Sequence, residues 1–193
     1  VEAYVRTLGF DPHDEVVVIH DRVMATHPEF PKKWLIHSLE KPQIRGSAFT
    51  IHVRPSKSPK RSGGSLHGTV LLPKEPYLNP LGGRGFEFFV DGVNYDNEGA
   101  VEELVKRRGE VEPGAWRMVL SPTMAAREHR FLVVLLPKTS KDENQFHIRL
   151  VEEGSRYGAE IVGPTRTTVW WFDPAHDGPV VDVTEGAVVE SRD

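Results

Sequence analysis

The chain has 193 residues, with 24 Lys and Arg against 28 Asp and Glu, for a formal charge of −4. The absence of cysteine excludes a disulfide framework, a zinc–thiolate site and a cysteine nucleophile. Mild acidity argues against a general nucleic-acid binder, which carries a basic surplus.

Short β-type runs between turn residues dominate the chain, the pattern of an all-β sandwich. In chain order the expected strands are Ala3–Leu8, Glu15–Val23, Lys33–Leu39, Ile44–Arg54 and Ser65–Leu72. A hairpin follows over Phe86–Val90 and Val93–Tyr95, where Asp91-Gly92 supplies the positive φ of a tight primed turn. The later strands are Ala115–Leu120, Arg130–Leu136, Phe146–Val151, Gly158–Val162, Thr167–Phe172 and Val180–Val189. One short helix is expected over Asn97–Arg108, with Asn97 as cap, an apolar stripe at Ala100, Val101, Leu104 and Val105, and Gly109 ending it. Segments 55–64 and 138–144 read as polar loops. The expected architecture is one antiparallel β-sandwich over residues 1–193, of about a dozen strands. No apolar run is long enough for a membrane-spanning helix. The chain enters its first strand almost at once, with no signal-peptide pattern, and reads as part of a longer gene product.

Alternation along the strands places Val17, Ile19, Asp21 and Val23 on one face, and Leu35, His37 and Leu39 on one face of the next strand. If these two strands pair antiparallel with Asp21 opposite His37, the Cβ atoms lie ~4.5–5.5 Å apart. A carboxylate in an apolar patch is costly unless it is paired or ligated. Two readings stand: a hydrogen bond that fixes the hairpin, or two ligands of a Zn²⁺ ion, which takes both donor types.

The runs Val16-Val-Val-Ile-His-Asp-Arg-Val23, Thr26-His-Pro-Glu-Phe-Pro-Lys-Lys33 and Trp34-Leu-Ile-His37 resemble, in their order, the β-sandwich region of heparinase II/III-like polysaccharide lyases. The likeness continues through Gly68-Thr-Val-Leu-Leu-Pro73, the Gly82–Gly92 segment, Glu112-Pro-Gly-Ala-Trp-Arg117 and the His129–Pro137 segment. The resemblance implies the C-terminal sandwich of an enzyme that cleaves uronic-acid polysaccharides by β-elimination and carries an N-terminal α/α toroid. It implies a secreted or periplasmic setting. It also implies a structural zinc held by Asp21 and His37 with an upstream histidine, and it tips those two residues towards metal. The catalytic residues would lie largely in the toroid, and none is assigned here.

Other residues carry binding potential. In Trp170-Trp171-Phe172 the two indoles point to opposite faces, so one is a candidate stacking platform for a pyranose. Arg54, Lys57, Lys60 and Arg61 gather four positive charges around one loop, suited to steering an acidic polysaccharide. Tyr4 and Tyr95 are weak candidates for an acid, and His67, after a Gly-Gly pair, for a sugar or metal contact. Three functions are weighed: the sandwich of a polysaccharide lyase, inactive alone; a non-catalytic carbohydrate-binding module; and a small β-sandwich metalloenzyme.

Overall fold

Two segments are apolar at consecutive positions, Val16-Val-Val-Ile19 and Phe131-Leu-Val-Val-Leu-Leu136. A strand of that kind is stable only if both of its faces are covered. In the computed structural model of the protein, which describes residues 1–57, 60–95, 115–139, 145–173 and 178–186, they lie in the middle of three layers.

The middle layer is a six-stranded antiparallel sheet. Its order is β1 (Ala3–Asp11), β2 (Val16–Met24), β13 (Glu128–Thr139), β8 (Gly64–Leu72), β5 (Ala48–Val53) and β4 (Gln43–Arg45). One outer layer has the order β3 (Trp34–Ser38), β12 (Trp116–Pro122) and β9 (Pro76–Gly82). The other is a meander of β14 (His147–Glu153), β15 (Arg156–Val162), β16 (Arg166–Phe172) and β17 (Pro179–Glu185). Two small hairpins complete the described strands: β6 (Ser56–Lys57) with β7 (Lys60–Arg61), and β10 (Phe89–Val90) with β11 (Val93–Asn94).

Alternate residues of the middle sheet fill two separate cores. Val16, Val18, Leu132, Val134 and Leu136 meet Ala159, Ile161, Trp170 and Phe172 of the meander. Ile19, Phe49, Val70, Phe131 and Val133 meet Trp34, Met118 and Leu120 of the three-stranded sheet. Every residue from Phe131 to Leu136 is at most 8% exposed. At about 1.5–3 kcal/mol for each buried aliphatic or aromatic side chain, this one strand anchors both interfaces.

The fold is all-β, as expected, and the strand positions agree closely with the sequence reading. The Asp91-Gly92 turn has positive φ at both residues, 47° and 89°, between the paired Val90 and Val93. The expected strand Ile44–Arg54 is two strands, β4 and β5, parted by a turn at Gly46 with φ 58°. The sequence reading missed β9, whose Pro76 and Pro80 are tolerated because it is an edge strand. The expected helix Asn97–Arg108 lies outside the described residues, as does most of the 138–144 segment.

The meander does not cover the whole of the middle sheet. Its edge strand β14 lies against β8, and no residue of β5 or β4 enters the meander-side core. Ala48, Thr50, His52, Ser65, His67 and Thr69 share that face by alternation and register, and those on β5 look out beyond the β14 edge. At the opposite edge, the Trp170 ring rests directly on the backbone of Gly9 in β1. A Cβ added at Gly9 would meet the ring at 2.1 Å. Gly9→Ala is therefore expected to cost about 1–3 kcal/mol, the usual range for overpacking. Urea unfolding measures this, and an unchanged midpoint would disprove the close contact.

Candidate functional site

The structure does not bring Asp21 and His37 together. β2 pairs with β1 and β13, placing Asp21 opposite Arg6 and Phe131, whereas β3 pairs with β12 and places His37 opposite Arg117. The expected hairpin between the two strands is thus corrected: with no tight turn joining them, they enter different layers. His37 is exposed, because Trp34 and Ile36 are the β3 residues turned to the core.

Asp21 is 2% exposed and gains its counter-charge from the neighbouring strand. Arg6 donates from Nε to Oδ1 at 2.7 Å and from Nη2 to Oδ2 at 2.6 Å. This fork engages both carboxylate oxygens and raises the Arg6 pKa further. The residues present do not fit the zinc that the resemblance implies, since a cation at Asp21 would displace Arg6 and would find no His37 beside it. Among the described residues no group of three or more His, Asp or Glu is placed to hold a metal.

The adjacent His20 points the other way, into the meander-side core. Its Nε2 lies 2.8 Å from the Tyr157 hydroxyl, and its ring stacks on Phe172 at 4.3 Å. The Arg130 guanidinium sits 5.0 Å above the Tyr157 ring and is joined through Glu128 to Arg22. Burial first, and Arg130 with it, pull the His20 pKa down to about 4 against the opposing pull of Asp21. Burial likewise raises the Tyr157 hydroxyl. A neutral imidazole and phenol at hydrogen-bond distance have the form of a proton-transfer pair, but each residue is only 8% exposed, so their role is to hold the layers together.

The basic loop is partly placed. β6 and β7 pair Lys57 with Lys60 and Ser56 with Arg61 in a hairpin that extends from β5. Arg54, just before it, has a side chain 84% exposed, with Nε 4.0 Å from Glu40 Oε1. It lines a cleft of about 450 Å³ together with Lys41, Gln43, His52 and Pro80. Lys41 Nζ lies 5.2 Å from the Trp116 ring centre. Lys41 and Arg54 beside the Glu40 carboxylate, which also lines it, give this cleft a positive bias, and its volume is within the range of small-ligand sites.

The tryptophan pair divides as alternation requires. Trp170 is 7% exposed within the core above Gly9, so its ring is committed to packing. Trp171 lies on the outer face of the meander, where its Nε1 donates to Asp182 Oδ2 at 2.9 Å and Arg156 covers its ring at 4.2 Å. Tyr4 and Tyr95 are 54% and 65% exposed. Lys41, Gln43 and His52 had no motif to mark them. Gln43 and His52 stand on the β4–β5 hairpin, and the Gly46 turn within Ile44–Arg54 was the signal that folds this segment back on itself.

No protein-family profile matches the chain, and no curated protein matches it.

The buried His20 has a definite consequence for stability. Its folded pKa of about 4 lies below the ordinary histidine value of 6.5, so the unfolded chain binds the extra proton between those values. The stabilisation is complete above pH ~6.5 and is lost as pH falls towards 4, by an amount on the order of 3 kcal/mol. His20→Leu should flatten the loss of stability over this interval in urea titrations at stepped pH. A variant with the wild-type slope would show that His20 is not the group responsible.

Proposed function

We propose that this chain is the glycan-supporting β-sandwich of a polysaccharide lyase that acts on uronic-acid polysaccharides by β-elimination. The observation that carries the reading is the cleft at Arg54, where Lys41 and His52 join the arginine and the backbone of the Lys57–Lys60 hairpin continues from the same strand. Guanidinium and ammonium groups bind carboxylates by charge-assisted hydrogen bonds. Gln43 adds amide donors and acceptors suited to sugar hydroxyls.

On this reading the chain holds and orients the anionic chain, and the base and acid of the elimination belong to a partner domain, the N-terminal toroid that the resemblance implies. Support for such a partner comes from β1, where Tyr4, Leu8 and Phe10 are each more than half exposed on one face of an edge strand. Apolar rows of this kind mark interaction surfaces. A secreted or periplasmic setting, where such polysaccharides occur, is part of the same proposal. The zinc has no part in it.

A second reading, a free-standing carbohydrate-binding module, shares the cleft and differs in having no catalytic partner. Trp171, on an open face but beneath Arg156, is its candidate platform.

The chain should bind soluble uronate oligosaccharides, with affinity falling as ionic strength rises. Arg54→Ala and Lys41→Ala should each weaken binding about tenfold, the equivalent of ~1.4 kcal/mol. Calorimetric titration against acidic and neutral oligosaccharides checks this, and binding indifferent to both substitutions would remove the reading. The chain alone should generate no unsaturated uronate product by ultraviolet absorbance. Trp171→Ala should leave binding unchanged if the lyase reading holds and weaken it if the module reading does.

A further inference from the structure

The Arg54 cleft adjoins a second one on the uncovered face of the middle sheet. This cleft, of about 490 Å³, is bounded by Thr50, His67 and Thr69 on the sheet floor and by Lys138, Phe146 and His147 along the wall. Cross-strand register connects the two. Gln43 of the Arg54 cleft stands directly opposite Thr50, and Thr50 directly opposite His67, so the three share one face across β4, β5 and β8. That row runs roughly 10 Å at right angles to the strands, two inter-strand spacings. His52 is likewise opposite Ser65, which is opposite Lys138.

The chemistry of the second cleft resembles that of a sugar subsite. His67 is held on both sides, with Nδ1 3.2 Å from Thr50 Oγ1 and Nε2 2.9 Å from Ser65 Oγ. A neutral imidazole donates from only one nitrogen, so one of these hydroxyls gives its proton to the ring while the other accepts and keeps its own proton for a ligand. Burial, then Lys138 and His52, lower the His67 pKa and favour that neutral form. The Phe146 ring provides an apolar surface, with Lys138 Nζ 5.8 Å from its centre. Among the described residues lining this cleft there is no carboxylate, and Lys138 is a cation, as Arg54 and Lys41 are in the neighbouring cleft.

We propose that the two clefts form one groove, which takes an acidic glycan of more than one sugar residue across the strands, from Arg54 past Thr50 and His67 to His147. This extension rests on the glycan reading of the Arg54 cleft. It implies that the chain recognises a stretch of several sugar residues rather than a single one.

The test is titration of the whole chain with a uronate disaccharide and with a hexasaccharide of the same composition. The wild type should bind the hexasaccharide at least about tenfold more tightly than the disaccharide. His147→Ala, at an exposed position, and His67→Gln should each bring the two affinities towards equality, with disaccharide affinity nearly unchanged. Thermal melts confirm that each variant is folded. Equal affinities in the wild type, or a preference that survives in both folded variants, would overturn the extended groove. Failure of the wild type to bind either oligosaccharide, or indifference of both to Arg54→Ala, would instead overturn the glycan reading beneath it.

Discussion

The structure depends on one constraint: β2 and β13 are apolar on both faces, and so cannot stay at the surface of a two-layer sandwich. Covering them takes a three-stranded sheet on one side and a four-stranded meander on the other. The middle sheet thereby becomes the frame on which every other element is positioned. The β4–β5 hairpin and the groove beside it lie where one covering layer ends.

Strands that are apolar on both faces have a weakness. A slip of one residue exchanges one apolar face for the other and is poorly opposed by the hydrophobic effect alone. Polar side chains within the layers supply the missing specificity. Arg6 grips Asp21 across the β1–β2 pair, and His20 reaches Tyr157 in the meander. Arg166 of β16 meets both Asp11 and Asp14 at the β1–β2 turn, with all three side chains at most 13% exposed. Each such pair is satisfied only in one register, and stripping one partner from a buried pair costs about 3–5 kcal/mol. Gly9 adds a steric pin of the same kind, since a side chain at that position would collide with the Trp170 ring.

Much of this architecture was legible in the sequence, and the limits have physical causes. Alternation, turn residues and the Asp91-Gly92 pair located the strands, because those signals act over a few residues. Sheet partnership was not legible, because it depends on which strand needs cover on both sides, a property of the assembled layers. Hence Asp21 was matched with the wrong neighbour: a lone buried carboxylate announces that it needs a partner without saying which. The edge strand β9 was hidden by its prolines, which a sheet tolerates only at its margin. At the candidate site, the charge of the Arg54 loop was visible, whereas Gln43 and His52 are ordinary polar residues whose significance comes from the Gly46 turn. The two indoles were correctly split between faces, but only the layers show that Trp170 belongs to the core.

The incomplete cover of the middle sheet has a wider consequence. β5 and β8 send Phe49, Ile51 and Val70 into one core, while Thr50, His52 and His67 on their other face belong to neither. Substitutions on that open half therefore leave the apolar scaffold untouched. Binding preference can drift there, side chain by side chain, with little penalty to folding, so that related chains of the same architecture would be free to diverge in what they hold while keeping the strands that hold it.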